Sequence, residues 1–356
     1  MNHRISTLAA LGWRPLLQQQ LTFEDLATGY AARVSAVHRD RIELCSLLGA
    51  ATLPITGLLK SDEPELRPTT GDWLWLDNES HLPLKLLARM NHLQRTAAGS
   101  EPKTQLLAAN IDTLFIVSSC NEDFNLSRIE RYLSLVMAAH IPAVIVLTKA
   151  DLCATTYDYV AQAQRIHDNV PVLAVNALAD SLEQRFQAWT GVGQTIAFIG
   201  SSGVGKSTLS NSLLGQPLQD TGAIRSDDAK GRHTTTERSL HPLPGGGWVL
   251  DTPGMRELRL NDDQAGVAEL FADIELLQQE CRFTNCHHAD DQGCAIQAAL
   301  ARGVLAPRRW HSYLKLQREA KWASTTKQQK RSQVRQFTKK IRQHQKAKQG
   351  HHPLNN

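Results

Sequence analysis

The chain has few cysteines, no long hydrophobic run and no N-terminal apolar segment of the kind that directs secretion. Only six of its 356 residues are cysteines, and three of these lie within the segment 281–294. No apolar run approaches the roughly 20 residues that cross a bilayer, which argues against a membrane-spanning protein. The N-terminal sequence MNHRISTLAALGW lacks the apolar core of a signal peptide, so we expect a cytoplasmic protein without a disulfide framework.

The remaining composition is that of a folded protein with unevenly distributed charge. Hydrophobic residues make up 42% of the chain, and a length of 356 residues predicts two or three domains. The net charge is only +4, but residues 315–356 contain twelve Lys or Arg and one acidic residue, a charge of +11. A solvated disordered tail is one reading of this segment, and its strong bias favours the other, a contact with nucleic-acid phosphates.

The segment GSSGVGKST, residues 200–208, has the spacing of a phosphate-binding loop. Gly200, Gly205, Lys206 and Ser207 match G-x-x-x-x-G-K-[ST], between an apolar run typical of a buried strand and a segment that can form a helix. The phosphate would lie at the helix N-terminus, with Lys206 on the β- and γ-phosphates and the Ser207 hydroxyl on Mg²⁺. A chance Gly/Ser turn is the alternative. The candidate phosphate ligands are Gly200, Ser201, Ser202, Gly203, Val204, Gly205, Lys206, Ser207 and Thr208.

A second loop, TKAD, follows the buried-strand pattern of residues 143–147. The Asp151 carboxylate can accept from the two N–H donors on the Watson–Crick edge of guanine, a pair that adenine does not offer. By itself TKAD is typical of an exposed loop, but beside a phosphate loop it indicates guanine specificity. The candidate base contacts are Thr148, Lys149, Ala150 and Asp151, with Asn176 and Ala177 supporting the guanine from the far side.

The segment DTPG, residues 251–254, completes the predicted nucleotide site. It ends the strand pattern WVL and places Asp251 in the Mg²⁺ shell and the Gly254 N–H near the γ-phosphate. The next residue is Met255, whereas many GTPases have a glutamine there that orients the attacking water. Unaided hydrolysis should therefore be slow.

The segment CRFTNCHHADDQGC has the composition of a metal site. Cys281, Cys286, His288 and Cys294 give the spacing C-x₄-C-x-H-x₅-C, and three thiolates with one imidazole form a closed tetrahedral set for structural Zn²⁺. Four unrelated residues or a disulfide are the alternatives, which the scarcity of cysteine and the expected cytoplasmic location disfavour. The adjacent His287 could replace His288 as a ligand.

Short strands are predicted in the first third of the chain. The segments AARVSAVHRDRIELCSL, ATLPITGLL and GDWLWLDN are separated by Gly and Asp. Several such strands suggest a small closed barrel, of which the oligonucleotide-binding OB-fold is the commonest kind. Trp73 and Trp75 share one strand face, and a place in the barrel core is their simplest explanation. The candidate RNA contacts are Arg33, Arg39, Arg41, Lys60 and Arg67.

The nucleotide-binding segments occur in circularly permuted order. Ordinary small GTPases have the phosphate loop first, whereas here TKAD precedes GSSGVGKST and DTPG. In this order, together with AANID at 108–112, GRHTTT at 231–236, DTPGMRE and the Cys/His cluster, the chain resembles the ribosome small subunit-dependent GTPase A family from about Arg33 onward. The resemblance implies a late-stage assembly GTPase of the small ribosomal subunit with an OB-fold in its first third and His288 as the fourth zinc ligand.

The segment GRHTTT lies between the phosphate loop and DTPG, where a switch segment belongs. One of Thr234, Thr235 and Thr236 should close onto Mg²⁺, and Thr235 is the candidate ligand. His233 is the candidate catalytic residue that orients the water, with an ordinary surface histidine as an equal alternative. We expect binding of the ribosomal subunit to order this segment and bring His233 into place.

Together these features predict a multidomain α/β protein with an N-terminal β-barrel of the OB-fold type, a central circularly permuted P-loop GTPase domain and a C-terminal zinc-binding helical region. The predicted boundaries are 1–29 for an N-terminal extension of unassigned role, 30–103 for the barrel, 104–271 for the GTPase domain and 272–356 for the zinc region with its basic tail.

The functional prediction is a monomer that binds GTP or GDP with Mg²⁺, carries one Zn²⁺, and binds the 16S rRNA of the small ribosomal subunit in its GTP state. Hydrolysis stimulated by the subunit would release it. One rival class is a P-loop ATPase or kinase, which Asp151 disfavours. The other is an RNA-binding protein with a vestigial GTPase, which the intact Lys206, Ser207 and Asp251 disfavour.

Overall fold

Short apolar runs form the strands of this protein, and longer segments with one apolar face form its helices. The computed structural model describes residues 6–61, 63–96, 104–179, 181–215, 238–251, 264–289 and 291–324. The strands are β1 Gly29–Val37, β2 Arg41–Ser46, β3 Gly49–Pro54, β4 Trp73–Asp77, β5 Pro83–Leu86, β6 His92–Thr96, β7 Thr104–Ala109, β8 Thr113–Ser119, β9 Ala143–Thr148, β10 Val172–Ala174, β11 Thr195–Gly200, β12 Arg238–Pro242 and β13 Trp248–Asp251. The helices are α1 Pro15–Gln18, α2 Phe23–Thr28, α3 Leu126–Ala138, α4 Thr156–Gln164, α5 Leu182–Phe186, α6 Lys206–Leu214, α7 Gln264–Leu270, α8 Ala272–Gln279, α9 Ala295–Ala301 and α10 Pro307–Ser324.

A mostly parallel sheet forms the centre of the protein, with strand order β10-β9-β8-β11-β13-β12. All neighbouring strands in this series run parallel except β12, which is antiparallel to β13. The phosphate-loop strand β11 lies between β8 and β13, although β8, β9 and β10 all precede it in the chain. The spatial order of a nucleotide-binding sheet is thus formed by a circularly permuted chain.

Both faces of this sheet are covered, which explains why its central strands are predominantly apolar. Alternate residues point to opposite sides, so that Ile116 and Ile199 belong to one apolar cluster while Phe115 and Phe198 belong to another. Residues of α3 and α4 pack in the first cluster, and residues of α5 and α6 pack in the second. The helices thus cover the two faces, and the loops that follow the parallel strands lie at the edge formed by their carboxyl ends.

The first third of the chain forms an antiparallel sheet in the order β5-β4-β1-β2-β3. Its own core consists of Ala32, Val34, Ile42, Leu44, Leu59, Leu74 and Leu76. Among the described strands β3 and β5 do not pair, so hydrogen bonds do not close this sheet into the ring that the sequence suggests. The OB-fold assignment remains a prediction.

The two tryptophans of β4 lie outside that core, contrary to their expected place in it. Trp73 and Trp75 are both buried, but they belong to the apolar cluster that contains Leu11 and Leu17 of the N-terminal segment. Trp13 also meets Trp73 edge to face, with ring centroids 5.0 Å apart. The alternation of β4 was correctly predicted, but the sequence did not show that the N-terminal segment covers its second face.

A continuous main-chain ladder joins the N-terminal sheet to the central sheet. The last residues of β1 pair with β12, Ala36 with Ser239 and Val37 with Arg238, which makes one sheet of eleven strands. A separate hairpin of β6 and β7 spans the predicted boundary between residues 103 and 104. The N-terminal sheet and the central sheet are therefore continuous across that boundary.

The C-terminal helices pack against α3 through buried polar contacts. The Glu130 carboxylate is fully buried and accepts two hydrogen bonds from the Arg308 guanidinium, each 2.9 Å long, and one from the Ser312 hydroxyl at 2.6 Å. One residue further along α3, Arg131 pairs with Glu319 at 2.8 Å. Helix α10 is thus fixed along α3 by ion pairs.

Candidate functional site

The phosphate-loop segment lies where its sequence predicts, between the end of β11 and the start of α6. Gly203 and Gly205 have φ values of +78° and +95°, a conformation that side-chain-bearing residues rarely adopt. A Cβ atom on Gly200 would lie 2.2 Å from the Val117 carbonyl oxygen, so only glycine fits beside β8. The glycines of the motif are therefore required by the close approach and turning of the main chain.

The two polar residues that open α6 lie in the first turn of the helix. The Lys206 ammonium donates to the Gly200 carbonyl at 2.8 Å and also to that of Ser201. Ser207 follows it, half-buried. Asp251 ends β13, the strand next to β11, and so lies at the same edge of the sheet. Free backbone N–H groups at the start of α6 and the nearby ammonium make this edge favourable for an anion.

The TKAD loop, which the sequence predicts to read the base, is in direct contact with the phosphate-loop segment. The Thr148 hydroxyl donates to the Val204 carbonyl at 2.6 Å and lies 3.1 Å from the Ser118 carbonyl. Lys149 then turns the chain with a φ of +58°, and Asp151 is exposed beyond it. Thr148 and Val204, 56 residues apart in sequence, are thus joined by one buried hydroxyl.

The Asn176–Ala177 loop also joins this arrangement. The Ser212 hydroxyl of α6 donates to the Ala177 carbonyl at 2.7 Å, and the Ala150 N–H donates to the Val175 carbonyl at 3.3 Å. The structure therefore brings together three of the predicted nucleotide-binding segments. Gly254, His233 and the three threonines 234–236 lie outside the described residues.

Arg128 also reaches the phosphate loop, and sequence reasoning missed it. Its Nη1 donates to the Ser201 hydroxyl at 2.6 Å. The available signal was positional, because α3 follows β8, whose neighbour β11 carries the phosphate loop. A residue in the first turn of α3 must therefore lie near that edge of the sheet.

The four predicted metal ligands converge on one point. One ligand atom from each of Cys281, Cys286, His288 and Cys294 lies within 4.8 Å of the others. The His288 Nδ1 is 3.5 Å from the Cys281 Sγ and 3.6 Å from the Cys294 Sγ. His287 is exposed and is not a member of this group. Three sulfur atoms and one imidazole nitrogen at these separations fit a tetrahedral metal ion.

Helix ends and a strained turn position these ligands. Cys294 caps α9, its Sγ accepting from the Gln297 N–H at 3.4 Å, while the Ala295 N–H donates to the Cys281 Sγ at 3.4 Å. Burial alone would raise the pKa of the Cys281 thiol, but backbone N–H donors, including that of Ala295, lower it below its usual range. His288 has a φ of +56°, in the left-handed region that side-chain-bearing residues rarely adopt. The Cys281 sulfur is therefore suited to the thiolate form, whereas burial and the neighbouring Cys294 and Cys281 raise the pKa of the Cys286 thiol to about 11.

The candidate RNA contacts divide into one buried residue and four exposed ones. Arg33 is almost completely buried. Its guanidinium donates to the Leu11 carbonyl and the Thr195 hydroxyl, both at 2.7 Å. Burial lowers its pKa to about 10. Its assignment as an RNA contact was therefore wrong, because it faces the junction with the central sheet. The four exposed residues are Arg39, Arg41, Lys60 and Arg67.

Three of those exposed cations share one groove of the N-terminal sheet. Arg39, Lys60 and Arg67 line it together with His38. The sequence could not show this grouping because the three residues come from separate loops. The basic C-terminal tail from residue 325 onward lies outside the described residues.

The family comparisons agree with this geometry. The model of a family described as RsgA GTPase matches residues 86–261, and a second model, described as ABC transporter, matches residues 189–352, a range that contains the phosphate loop. Within the described residues no helix is both long and apolar enough to cross a membrane. The circularly permuted order of the loops favours the RsgA GTPase model over the ABC transporter model.

Relatives and solved structures match most of the chain. The chain is 49% identical to "Small ribosomal subunit biogenesis GTPase RsgA 2" of Vibrio vulnificus, over 96% of each protein. It is 45% identical to "Small ribosomal subunit biogenesis GTPase RsgA" of Mesorhizobium japonicum, over 88% of this chain and 90% of that protein.

Two crystal structures share the fold. YjeQ from Thermotoga maritima superposes with a TM-score of 0.61 at 23% identity, over 82% of this chain and 98% of that one. YloQ, described as a circularly permuted GTPase, gives a TM-score of 0.58 at 20% identity, over 84% and 97%. With identities near one half over almost the full length of its relatives, this chain belongs to the RsgA GTPase family.

Proposed function

We propose that this protein is a GTP-hydrolysing assembly factor of the small ribosomal subunit. It binds the rRNA of the subunit in its GTP state and leaves when the subunit stimulates hydrolysis. The relatives' names support the subunit as the partner. The observation that carries the proposal is the Thr148 hydrogen bond to Val204, which couples the predicted guanine-reading loop to the phosphate loop.

Each predicted segment then has a role at the nucleotide. Asp151 accepts from the guanine edge, with Lys149 along the base and the Asn176–Ala177 loop on its far side. The residues from Gly200 to Thr208 hold the phosphates. Magnesium, which supplies charge neutralisation between the β- and γ-phosphates, would be held by Ser207, Asp251 and Thr235, with Gly254 sensing the γ-phosphate.

The metal cluster fits a structural zinc ion. Cys281, Cys286, His288 and Cys294 fill a tetrahedral shell and leave no position for a substrate. The ion would tie the segment after α8 to the start of α9. We propose one Zn²⁺ per chain with a role in folding alone.

Two surfaces are proposed to contact rRNA. One is the groove lined by Arg39, Lys60 and Arg67, whose charges suit a phosphate backbone. The other is the basic tail of residues 315–356. Arg41, exposed at the start of β2 and outside this groove, is a further candidate contact. We propose that the protein acts as a monomer in the cytoplasm, where its partner is assembled.

His233 is proposed to orient the attacking water because Met255 cannot. If so, a His233→Ala variant should bind GTP normally and lose the hydrolysis that the small subunit stimulates. Full stimulated hydrolysis in that variant would remove His233 from the mechanism.

The test of the proposed function is GTP hydrolysis by the purified chain alone and with small subunits, large subunits or free rRNA. We expect a large increase in rate with small subunits only. Asp151→Asn is the control for the base, since it should abolish the preference for GTP over ATP. A rate that ignores ribosomes would instead favour an RNA-binding protein with a regulatory or vestigial GTPase.

A further inference from the structure

Arg128 belongs to a helix that does not contain any of the predicted nucleotide-binding segments. It lies in the first turn of α3, where its N–H donates to the Asn125 side chain at 3.0 Å. Its guanidinium extends to the Ser201 hydroxyl at 2.6 Å, and this contact connects α3 to the second residue of the phosphate loop. A cation thus reaches the loop from a neighbouring element.

The guanidinium of Arg128 has a neutral hydrogen-bond partner. Its partner is a hydroxyl group, and within the described part of the chain no carboxylate pairs with it. Ser201 also accepts, through its carbonyl, from the Lys206 ammonium. Two cationic side chains therefore converge on one residue of a loop built to hold phosphates. A guanidinium can donate two parallel hydrogen bonds to phosphate oxygens, whereas here it donates one to a hydroxyl.

The contacts of α3 with α10 hold the main chain of Arg128 in place. Two residues after Arg128, Glu130 is fully buried and bonded to Arg308 and Ser312. The main chain of Arg128 is therefore held by the packing of α3. Its guanidinium is bonded to a hydroxyl, a partner that a phosphate can replace. Pre-positioned cations of this kind stabilise charge that develops during a reaction.

We propose that Arg128 is a catalytic residue of this GTPase that moves from the Ser201 hydroxyl to the terminal phosphate of GTP. This inference rests on the phosphate-loop assignment in the proposed function. In hydrolysis the water oxygen bonds to the γ-phosphorus, the bond to the β–γ bridging oxygen breaks, and the water proton passes to phosphate or solvent. Arg128 exchanges no proton; it stabilises the charge on the transferring group.

The test compares Arg128→Ala and Arg128→Lys with the wild-type chain in single-turnover GTP hydrolysis and in GTP and GDP binding. We expect Arg128→Ala to lower the hydrolysis rate by about tenfold or more and to weaken GTP relative to GDP. Arg128→Lys should recover part of the rate. Arg131→Ala is the matched control, one turn along the same helix, and should hydrolyse GTP at the wild-type rate.

A Ser201→Ala variant separates direct contact from an effect through the loop. If Arg128 touches the phosphate, Ser201→Ala should change GTP and GDP affinity by the same factor, whereas Arg128→Ala should not. An identical loss of GTP preference in both variants, or a rate for Arg128→Ala within about twofold of wild type, would overturn the inference. Wild-type protein that binds no GTP would instead overturn the proposed function.

Discussion

The central sheet is joined to its two flanking regions in different ways. On the N-terminal side, main-chain hydrogen bonds run from β12 into β1, and the buried Arg33 bonds to both the N-terminal segment and Thr195. On the C-terminal side, the described contacts with α3 are made by side chains, chiefly Glu130 with Arg308. One junction is a shared sheet and the other is a helix packed on a helix.

This difference separates a fixed attachment from an adjustable one. A strand ladder fixes register, because a one-residue slip would turn every side chain to the opposite face. Packed helices can slide by small amounts when a few side chains repack. We therefore expect the N-terminal sheet to move with the central sheet and the C-terminal helices to respond to the nucleotide.

Removal of a metal ligand should have the largest effect, confined to the C-terminal side. Cys294→Ser keeps a residue that can cap α9 but removes a thiolate, so metal should be lost and the C-terminal region destabilised by roughly 5 kcal/mol. Metal analysis and hydrogen exchange check this: α9 and α10 should lose protection while β1 and β12 keep it. Cys153→Ser, outside the cluster, is the control. Unchanged protection of α9 without metal would contradict the structural role.

Loss of the buried arginine should test the N-terminal junction. Arg33→Met removes the bonds to the Leu11 carbonyl and the Thr195 hydroxyl, and we expect a loss of about 3 kcal/mol in the free energy of unfolding. Urea unfolding measures it. Arg41→Met, at an exposed position of the neighbouring strand β2, should change stability by less than about 0.5 kcal/mol. Equal effects of the two variants would mean that Arg33 does not hold the junction.

The smallest of the three effects is expected at the C-terminal junction. Glu130→Gln keeps the shape of the side chain but removes its charge, and the side chain of its partner Arg308 is 41% exposed and can turn to water. We expect a loss of about 2 kcal/mol in unfolding free energy, with faster hydrogen exchange in α10 than in β1. Glu319→Gln, in a half-exposed pair with Arg131, should cost less than about 1 kcal/mol. Equal acceleration in β1 would show that both junctions open together.

The sequence predicted the parts of the site that depend on local spacing. The glycine positions of the phosphate loop and the ligand spacing of the metal cluster both lie within short segments. The geometry of these two sites could therefore be predicted from local sequence alone. It did not predict the roles of Arg33 and Arg128. Their partners Thr195 and Ser201 are 162 and 73 residues away, and a single arginine in a strand or helix gives no sign of such a partner.

The packing of the N-terminal segment on Trp73 and Trp75 was not predicted from the sequence, for a related reason. Residues 73–76 of their strand are all apolar, as in a strand buried on both faces, and the sequence did not indicate which segment lies on the second face. The residues before Gly29 carried no motif, yet they supply Leu11 and Leu17 to that cluster. Apolar packing without a motif is visible only in the folded chain.

The pairing of β1 with β12 also covers part of an edge of the central sheet. Without it, β12 would be an edge strand of the central sheet, with unpaired N–H and C=O groups that can recruit another chain. At the opposite end, β10 has only three residues and offers little to pair with. A fragment that begins after β1 would expose the β12 edge, and its aggregation would be a consequence of the cut rather than of a weak GTPase core.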